Sequence, residues 1–397
     1  MTTSAVRRVL IAGGGIGGLT TAVALRKAGI KATIFERAPA LRASGSGLHL
    51  WTNAMLALAD LGLADAVCEV GPVHEHCDFR SWRGDVLATW PIGQFIERHG
   101  QATVAIGRRE LMAILADALG DQELHLGAEV VGYEQDAHGV TALFADGRRE
   151  RGSVLVAADG IHSVLRRQML GDDPPRFNGY VAWRAAIDFE HDLVPYGSFC
   201  SMYGHGKRFV YYDIARGRLH WMSVTNAPPG GVDAGGVRDM LLERHKGWME
   251  PIAEILRATD ESKIIRSDIL DRKPDKQWID GRVVLLGDSA HPMSFNTGQG
   301  ACQAIEDALV LAQSLAARSD TPAALREYQT QRQPRTAASQ RASWFLGRLG
   351  ALSNPVAVAM RHRLIKAYWE RGVFKRLDKD MATGARWRPL PAHQSSV

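Results

Sequence analysis

The stretch that decides the fold is Val9-Leu10-Ile11-Ala12-Gly13-Gly14-Gly15-Ile16-Gly17-Gly18. An apolar run enters a glycine cluster, and an Ala- and Leu-rich segment, Leu19 to Lys27, follows it. Gly13, Gly15 and Gly18 fill a G-x-G-x-x-G pattern. The first glycine permits a tight strand-to-helix turn, the second lets a pyrophosphate approach the backbone, and the third lets helix and strand pack closely. The helix N-terminus then offers unpaired N–H groups and a positive dipole end to phosphate. Glycine-rich turns are common, so the context matters. A strand pattern precedes this one, a helix pattern runs on to Gly29, and a second strand, Lys31-Ala32-Thr33-Ile34-Phe35, ends in Glu36. An acid at that place binds ribose hydroxyls. Arg37 is either a contact to the adenosine end of a dinucleotide or a surface cation. Residues 6–36 therefore read as a β-α-β unit.

The rest of the composition is that of an ordinary globular chain. Of 397 residues, 46% are hydrophobic and 23% charged, enough for one large or two intermingled domains with a substantial core. The net charge of +5 is spread thinly, with no Lys/Arg block of the kind that marks nucleic-acid binding. Cys68, Cys77, Cys200 and Cys302 show neither C-x-x-C nor metal-ligand spacing and read as reduced thiols of a cytoplasmic protein. Arg7 and Arg8 precede an apolar run that breaks into glycines too soon for a signal peptide, and no stretch is long and apolar enough to predict a membrane span.

Along the chain, Gly45-Ser46-Gly47 opens a turn before the short strand Leu48-His49-Leu50, whose alternation places His49 opposite its neighbours. Asn53 is expected to cap a helix over 54–61 that closes at Gly62. Ile106–Leu111 leads into a helix to about Leu119, and the buried strand Ser153–Ala158 ends at Asp159-Gly160. From Phe177 the pattern becomes β-rich, with strands over 180–188, 197–203, 208–215 and 218–226, read as an inserted antiparallel sheet. Arg282–Leu286 returns the chain to the parallel sheet and ends in Gly287-Asp288. Helices follow over 300–317, 323–347 and 356–371, and the end from Ala382, with Pro389 and Pro391, reads as a loose tail.

Three separated motifs coincide: the glycine turn at 13–18; Asp159-Gly160-Ile161-His162-Ser163 with Arg166; and Gly287-Asp288-Ser289-Ala290-His291-Pro292 with Gly298-Gln299-Gly300 and Glu306-Asp307-Ala308. In that order and at those distances the chain resembles the class A FAD-dependent aromatic monooxygenases, the group of the p-hydroxybenzoate and salicylate hydroxylases. The resemblance covers about residues 6–345. It implies an α/β fold in which a Rossmann-like FAD-binding domain with C-terminal helices (1–75, 100–175 and 273–375) is interleaved with an antiparallel-sheet substrate domain (76–99 and 176–272), followed by a tail from 376. It implies that Gly13, Gly15, Gly18, Glu36, Arg37, Gly47, Asp159 and Asp288 contact FAD, Asp288 through ribityl or ribose hydroxyls. Arg108 matches the arginine that reaches the FAD phosphates, with Arg109 its rival by one residue. The backbone N–H groups of Gly298, Gln299 and Gly300 meet the flavin edge where negative charge develops on reduction. No second glycine fingerprint is present, so the nicotinamide has no Rossmann site of its own, and the resemblance implies NAD(P)H as a transiently docked co-substrate.

The activity implied is hydroxylation of a small aromatic or heteroaromatic substrate with O2, through a flavin C4a-hydroperoxide. The protein must exclude water and help to deprotonate the substrate. Arg208-Phe209-Val210-Tyr211-Tyr212-Asp213 matches a family stretch of pattern His-x-x-x-Tyr-Pro, which places Tyr212 as the relay tyrosine, Arg208 for the histidine and Asp213 for the proline. A one-residue shift gives Tyr211 and Lys207 instead, and alternation allows only one tyrosine to face the pocket. His49 occupies a position that is a histidine near the flavin in the hydroxypyridine-acid members, and Arg184 matches a recurring arginine. Arg184, Lys207 and Arg208 together suggest an anionic substrate. One departure stands out: relatives read His-Pro-Met-x-Pro where this chain has His291-Pro292-Met293-Ser294-Phe295. The rival activities are an FAD-dependent epoxidase or oxidoreductase acting on an isoprenoid or polyketide, and a non-enzymatic FAD sensor. A monomer or homodimer is expected.

Overall fold

A computed structural model of the chain describes residues 8–41, 46–233 and 235–384, apart from the side chains of 370, 371 and 380–384. Arg7, the Gly45 of the expected turn, and Pro389 and Pro391 of the expected tail lie outside the described residues.

A six-stranded sheet forms one half. Its order is Ile279–Asp280, Val283–Leu285, Val154–Ala157, Arg8–Ala12, Lys31–Glu36, Glu123–Leu126. All pairs are parallel except the short Ile279–Asp280 edge. Val9, Leu10, Ile11 and Val154 to Ala157 are fully buried because helices cover one face and a three-stranded sheet, Val130–Gln135, Val140–Phe144 and Arg149–Gly152, packs on the other, which is why these strands are apolar runs rather than alternations. Helix Ile16–Lys27 follows the glycine turn and packs against helix Gly300–Ala317.

The second half is a seven-stranded sheet, ordered Ile265–Asp271, Arg176–Asp188, Arg218–Asn226, Lys207–Ala215, Ser198–Tyr203, His76–Ser81, Val86–Trp90. Helices Val237–Arg244 and Ile252–Ala258 cover one face, packing Leu241, Ile255 and Leu256 on Trp183, Phe209, Tyr211 and Trp221. The opposite face meets the first half, where Tyr212 and Ile214 pack on Ala105 of strand Val104–Gly107. Gly47 belongs to this junction: a Cβ there would lie 2.7 Å from the His220 Cβ.

Three expectations are corrected. The sheet is not wholly antiparallel, since His76–Ser81 and Ser198–Tyr203 run parallel. The chain passes through the other half between them, so no hairpin dictates their sense. Asn53 does not cap a helix. Helix Thr52–Asp60 starts at Trp51, and the buried Asn53 side chain is drawn inward to Gln299 and Glu306. The tail does not begin at 376, because helix Phe374–Gly384 continues the fold. Phe374 stacks on Trp90 at 5.0 Å, and Asp378 accepts from Trp90 Nε1 and Arg98.

Candidate active site

The three motifs converge at the C-terminal ends of the parallel strands, where open α/β sheets bind ligands. Gly13 (φ +108°) donates its N–H to the Phe35 carbonyl at 2.8 Å, and a Cβ on it would stand 2.3 Å from the Ala158 oxygen. A Cβ on Gly18 would stand 1.9 Å from the Gly13 oxygen. A Cβ on Gly15 would meet nothing within 4 Å. The first and third glycines are thus fixed by protein packing, and the second faces open space at the N-terminus of helix Ile16–Lys27. Glu36 closes the turn, accepting from the Gly14 N–H at 2.8 Å and the Ala38 N–H at 2.9 Å. Arg37 is exposed beside it, on an open groove with Ala38 to Leu41 and Glu129. The second motif joins the third through Arg166, which donates to the Ser289 carbonyl at 3.2 Å and to Asp275 at 2.8 Å. Asp159 accepts from Val164 N–H at 3.0 Å, while its Oδ1 is buried without a partner among the described residues.

Arg108 and Asp288 face each other across this space. Asp288 has an exposed side chain in the short 3-10 turn Gly287–Ser289, whose cap is Leu286, so it does not serve as a cap itself. Dehydration nevertheless raises its carboxyl pKa, with His291 and Arg108 acting against the rise. A group both accessible and dehydrated lines an internal hollow. Dehydration likewise lowers Arg108, with Asp288 opposing. Arg109 is exposed, which leaves Arg108 as the inward arginine. A cation, a carboxylate and an open glycine N-terminus around one hollow fit the diphosphate and polyol of FAD.

Behind Asp288 lies a buried charge network that the sequence did not reveal. Asp307 accepts from the Gly287 N–H at 3.0 Å, lies 2.5 Å from His291 Nε2, and takes Arg332 Nε at 2.6 Å. Glu306 pairs with Arg332, with Arg335 Nε at 2.6 Å, and with Asn53. Burial alone would raise both carboxyl groups, but the cations outweigh it and hold both below their ordinary values. Asn53 exchanges hydrogen bonds with Gln299, which also accepts from Gln303 at 2.8 Å. Gly298 (φ +64°) is required there, since a Cβ would lie 2.7 Å from Trp51 Nε1. Gly300 begins helix Gly300–Ala317, so the turn presents a helix N-terminus.

Across the hollow, alternation in strand Lys207–Ala215 separates the two tyrosines. Tyr211 packs below the sheet against Cys200 and Trp221. Tyr212 faces the hollow, stacked with Phe199 at 5.6 Å and near His49 at 5.8 Å and His220 at 5.0 Å. Burial raises its hydroxyl pKa, with Arg184 partly opposing. Arg184 lies on the same face, two residues from the Ala186 that opposes His220. Its Nε is buried without a partner among the described residues, and burial and the neighbouring Arg108 both lower it. Lys207 points to the other face and donates to the Arg244 carbonyl, so the expected trio of cations is really Arg184 and Arg208. Arg208 is buried, lies over the Tyr180 and Phe295 rings at 5.0 and 5.5 Å, and donates to Asn296 Oδ1 at 2.5 Å. Asn296, which the sequence reading passed over, also donates to the Tyr180 hydroxyl at 2.8 Å.

The fold and this site define a flavin-dependent oxidoreductase with aromatic side chains clustered beside the cofactor motifs. The model of the FAD binding domain family matches residues 7–343, and the chain belongs to that family. It is 42% identical over 359 residues to the aurachin C monooxygenase/isomerase of Stigmatella aurantiaca, covering 90% of this chain and 93% of that one. It is 34% identical over 328 residues to an FAD-dependent urate hydroxylase of Klebsiella pneumoniae, covering 82% and 85%. The crystal structure of Klebsiella pneumoniae HpxO with FAD and uric acid superposes with a TM-score of 0.87 at 30% identity, covering 95% and 97%. The protein is a class A flavoprotein monooxygenase with FAD as its cofactor, and it hydroxylates an aromatic or heteroaromatic substrate. No helix among the described residues is long and apolar enough to cross a membrane.

Proposed function

We propose that the pocket takes a planar ring compound carrying an acidic O–H or N–H, and that Arg184 binds the anion formed when that proton leaves. The observation that carries this is the half-buried Arg184 side chain, set beside another cation and with a fully buried Nε that has no partner among the described residues. A dehydrated cation without a carboxylate is costly until an anion reaches it. Bound FAD supplies the redox chemistry and activates O2. Gly13, Gly15 and Gly18 with Glu36 hold its diphosphate and ribose end, with Arg37 near the adenosine. Arg108 meets the phosphates, Asp159 and Asp288 its hydroxyls, and the Gly298–Gln299–Gly300 amides the flavin edge. Gly47 keeps the two halves close enough for the ring to reach the flavin.

On the substrate side Tyr212 is the relay hydroxyl and His49 the adjoining base, while Tyr211 is structural. Phe199, Trp51 and Phe295 keep water from the ring. NAD(P)H is the reductant, docking without a nucleotide fold of its own. The protein works in the cytoplasm as a monomer or homodimer, and its FAD domain is assembled from 1–75, 100–175 and the segment from 273 through helix Phe374–Gly384 around the sheet domain.

The test is a panel of uric acid, salicylate, 6-hydroxynicotinate and 4-hydroxyquinoline under ¹⁸O₂, following substrate-stimulated NAD(P)H oxidation and label in the product. Ring hydroxylation is expected, with Arg184→Met retaining FAD but weakening binding of the anionic ring at least tenfold. Epoxidation of an isoprenoid, or unchanged binding in Arg184→Met, would overturn the reading.

A further inference from the structure

His49 is linked to two groups outside the cofactor motifs. Its Nε2 lies 2.9 Å from His74 Nδ1, and His74 Nε2 lies 3.2 Å from Asp213 Oδ1. Asp213 Oδ2 accepts the Gly197 N–H at 2.8 Å. All three side chains are buried. At the other end of the chain, His49 Nδ1 is buried and has no hydrogen-bond partner among the described residues. The ring around that nitrogen packs on Trp51, Phe199 and Tyr212, and the His49 carbonyl takes the Cys302 thiol of the helix that carries the flavin-edge turn.

The direction of this chain follows from which atoms can donate. A carboxylate only accepts, so His74 presents Nε2–H to Asp213. A neutral His74 then has its lone pair at Nδ1, and His49 must present Nε2–H to it. That leaves the lone pair of His49 at Nδ1, the one atom without a partner. Burial lowers the His49 pKa well below the ordinary imidazole value, so beside a neutral His74 the ring is neutral and the lone pair is available.

We propose that His74 and Asp213 are positioning residues that hold His49 in its Nε2–H tautomer, so that Nδ1 accepts the proton the ring substrate releases. This rests on the hydroxylation reading and adds the direction of proton flow. The substrate O–H or N–H bond breaks, its electron pair stays on the substrate, and an N–H bond forms at His49 Nδ1. The Nε2 proton of His49 passes to His74 Nδ1, which moves the positive charge beside the Asp213 carboxylate. Nothing is oxidised or reduced. A carboxylate that fixes an imidazole tautomer and offsets its charge is the logic of the hydrolase triad.

The test is ¹⁵N NMR of ring-labelled histidines in the FAD-loaded protein, with His49 assigned from the signals lost in His49→Gln. In the wild type, Nδ1 of His49 should be pyridine-like and Nε2 pyrrole-like. In Asp213→Asn the Gly197 N–H must take the amide oxygen, leaving the NH2 to donate to His74 Nε2. That reverses His74, then His49, and turns the open nitrogen into a donor. Hydroxylation of 4-hydroxyquinoline should fall about 100-fold, with flavin reduction and FAD content unchanged. His74→Asn keeps an acceptor for His49 Nε2 but cuts the link to Asp213, so it should retain the tautomer and lose rate by a smaller factor. A protonated Nδ1 in the wild type, or a tautomer unmoved in Asp213→Asn, overturns the proposal. Wild-type protein that oxidises no member of the panel sinks the hydroxylation reading instead, and the NMR result distinguishes the two failures.

Discussion

Arg332→Met isolates what the buried charge network contributes. Arg332 is 1% exposed and neutralises Asp307 through Nε at 2.6 Å and Glu306 through Nη1, while Nη2 donates to the Gln303 carbonyl and side chain at 3.1 and 2.6 Å. Methionine has a similar length, so the change removes charge and donors more than volume. Breaking a buried pair costs about 3–5 kcal/mol. Arg335 still bridges Glu306, which favours the lower end. With an unfolding entropy of roughly 2.1 cal/mol/K per residue over 397 residues, that is a fall in Tm of about 4–6 °C. The gap depends on pH with a defined sign. In the wild type both carboxyl pKa values are depressed, so their stabilisation is present above the unfolded value of about 4 and is lost as pH falls through the folded values. In the variant burial acts with less opposition and raises them. Its penalty is then full above the raised values and is relieved as pH falls through them toward about 4. Differential scanning fluorimetry of FAD-saturated protein should therefore show a larger wild-type-to-variant gap at pH 8 than at pH 5. Adding Asp307→Asn should recover part of the loss at pH 8. A gap under about 1 °C at pH 8, or one that widens on acidification, refutes the reasoning.

The glycine turn makes a paired prediction. Gly18→Ala has no room beside the Gly13 oxygen and should unfold or express poorly, whereas Gly15→Ala should leave the FAD-free melting temperature unchanged and weaken FAD binding at least tenfold in a fluorescence titration. Asp288→Ala should lower the flavin content of purified protein at unchanged secondary structure by circular dichroism, and full occupancy would remove its role toward the cofactor hydroxyls. Tyr212→Phe should slow hydroxylation more than flavin reduction in stopped-flow absorbance, with Tyr211→Phe affecting neither. Equal slowing by both variants would contradict their placement on opposite faces of the sheet.

What the sequence made legible was what local spacing encodes. The glycine turn, its flanking strands and the alternation that divides Tyr211 from Tyr212 each depend on a few consecutive residues. The missed features all need partners far along the chain. His74 and Asp213 are 139 residues apart, and Asn53 reaches Glu306 across 253. A helix composition around Asn53 suggested a cap because caps are local, but the structure uses that side chain to tie helix Thr52–Asp60 to the Gly298–Gly300 turn. The short acidic motif Glu306-Asp307 was visible as part of a resemblance, but its physical reason lies in arginines one helix later.

The departures from the family pattern are also explained only in three dimensions, and they are not independent of one another. Arg208, for which the resemblance with Tyr212 as the relay implies a histidine, lies over Phe295, for which it implies a proline, and both pack on Tyr180 with Asn296 joining them. An arginine here without an aromatic at 295 would lose a face to lie on, and its buried charge would be harder to hold. Asp213, the third departure, supplies an acceptor where proline has none to give through its side chain, and His74 is placed to use it. The substitutions therefore fall into two sets on either side of Tyr212, one reshaping the pocket wall and one orienting a base.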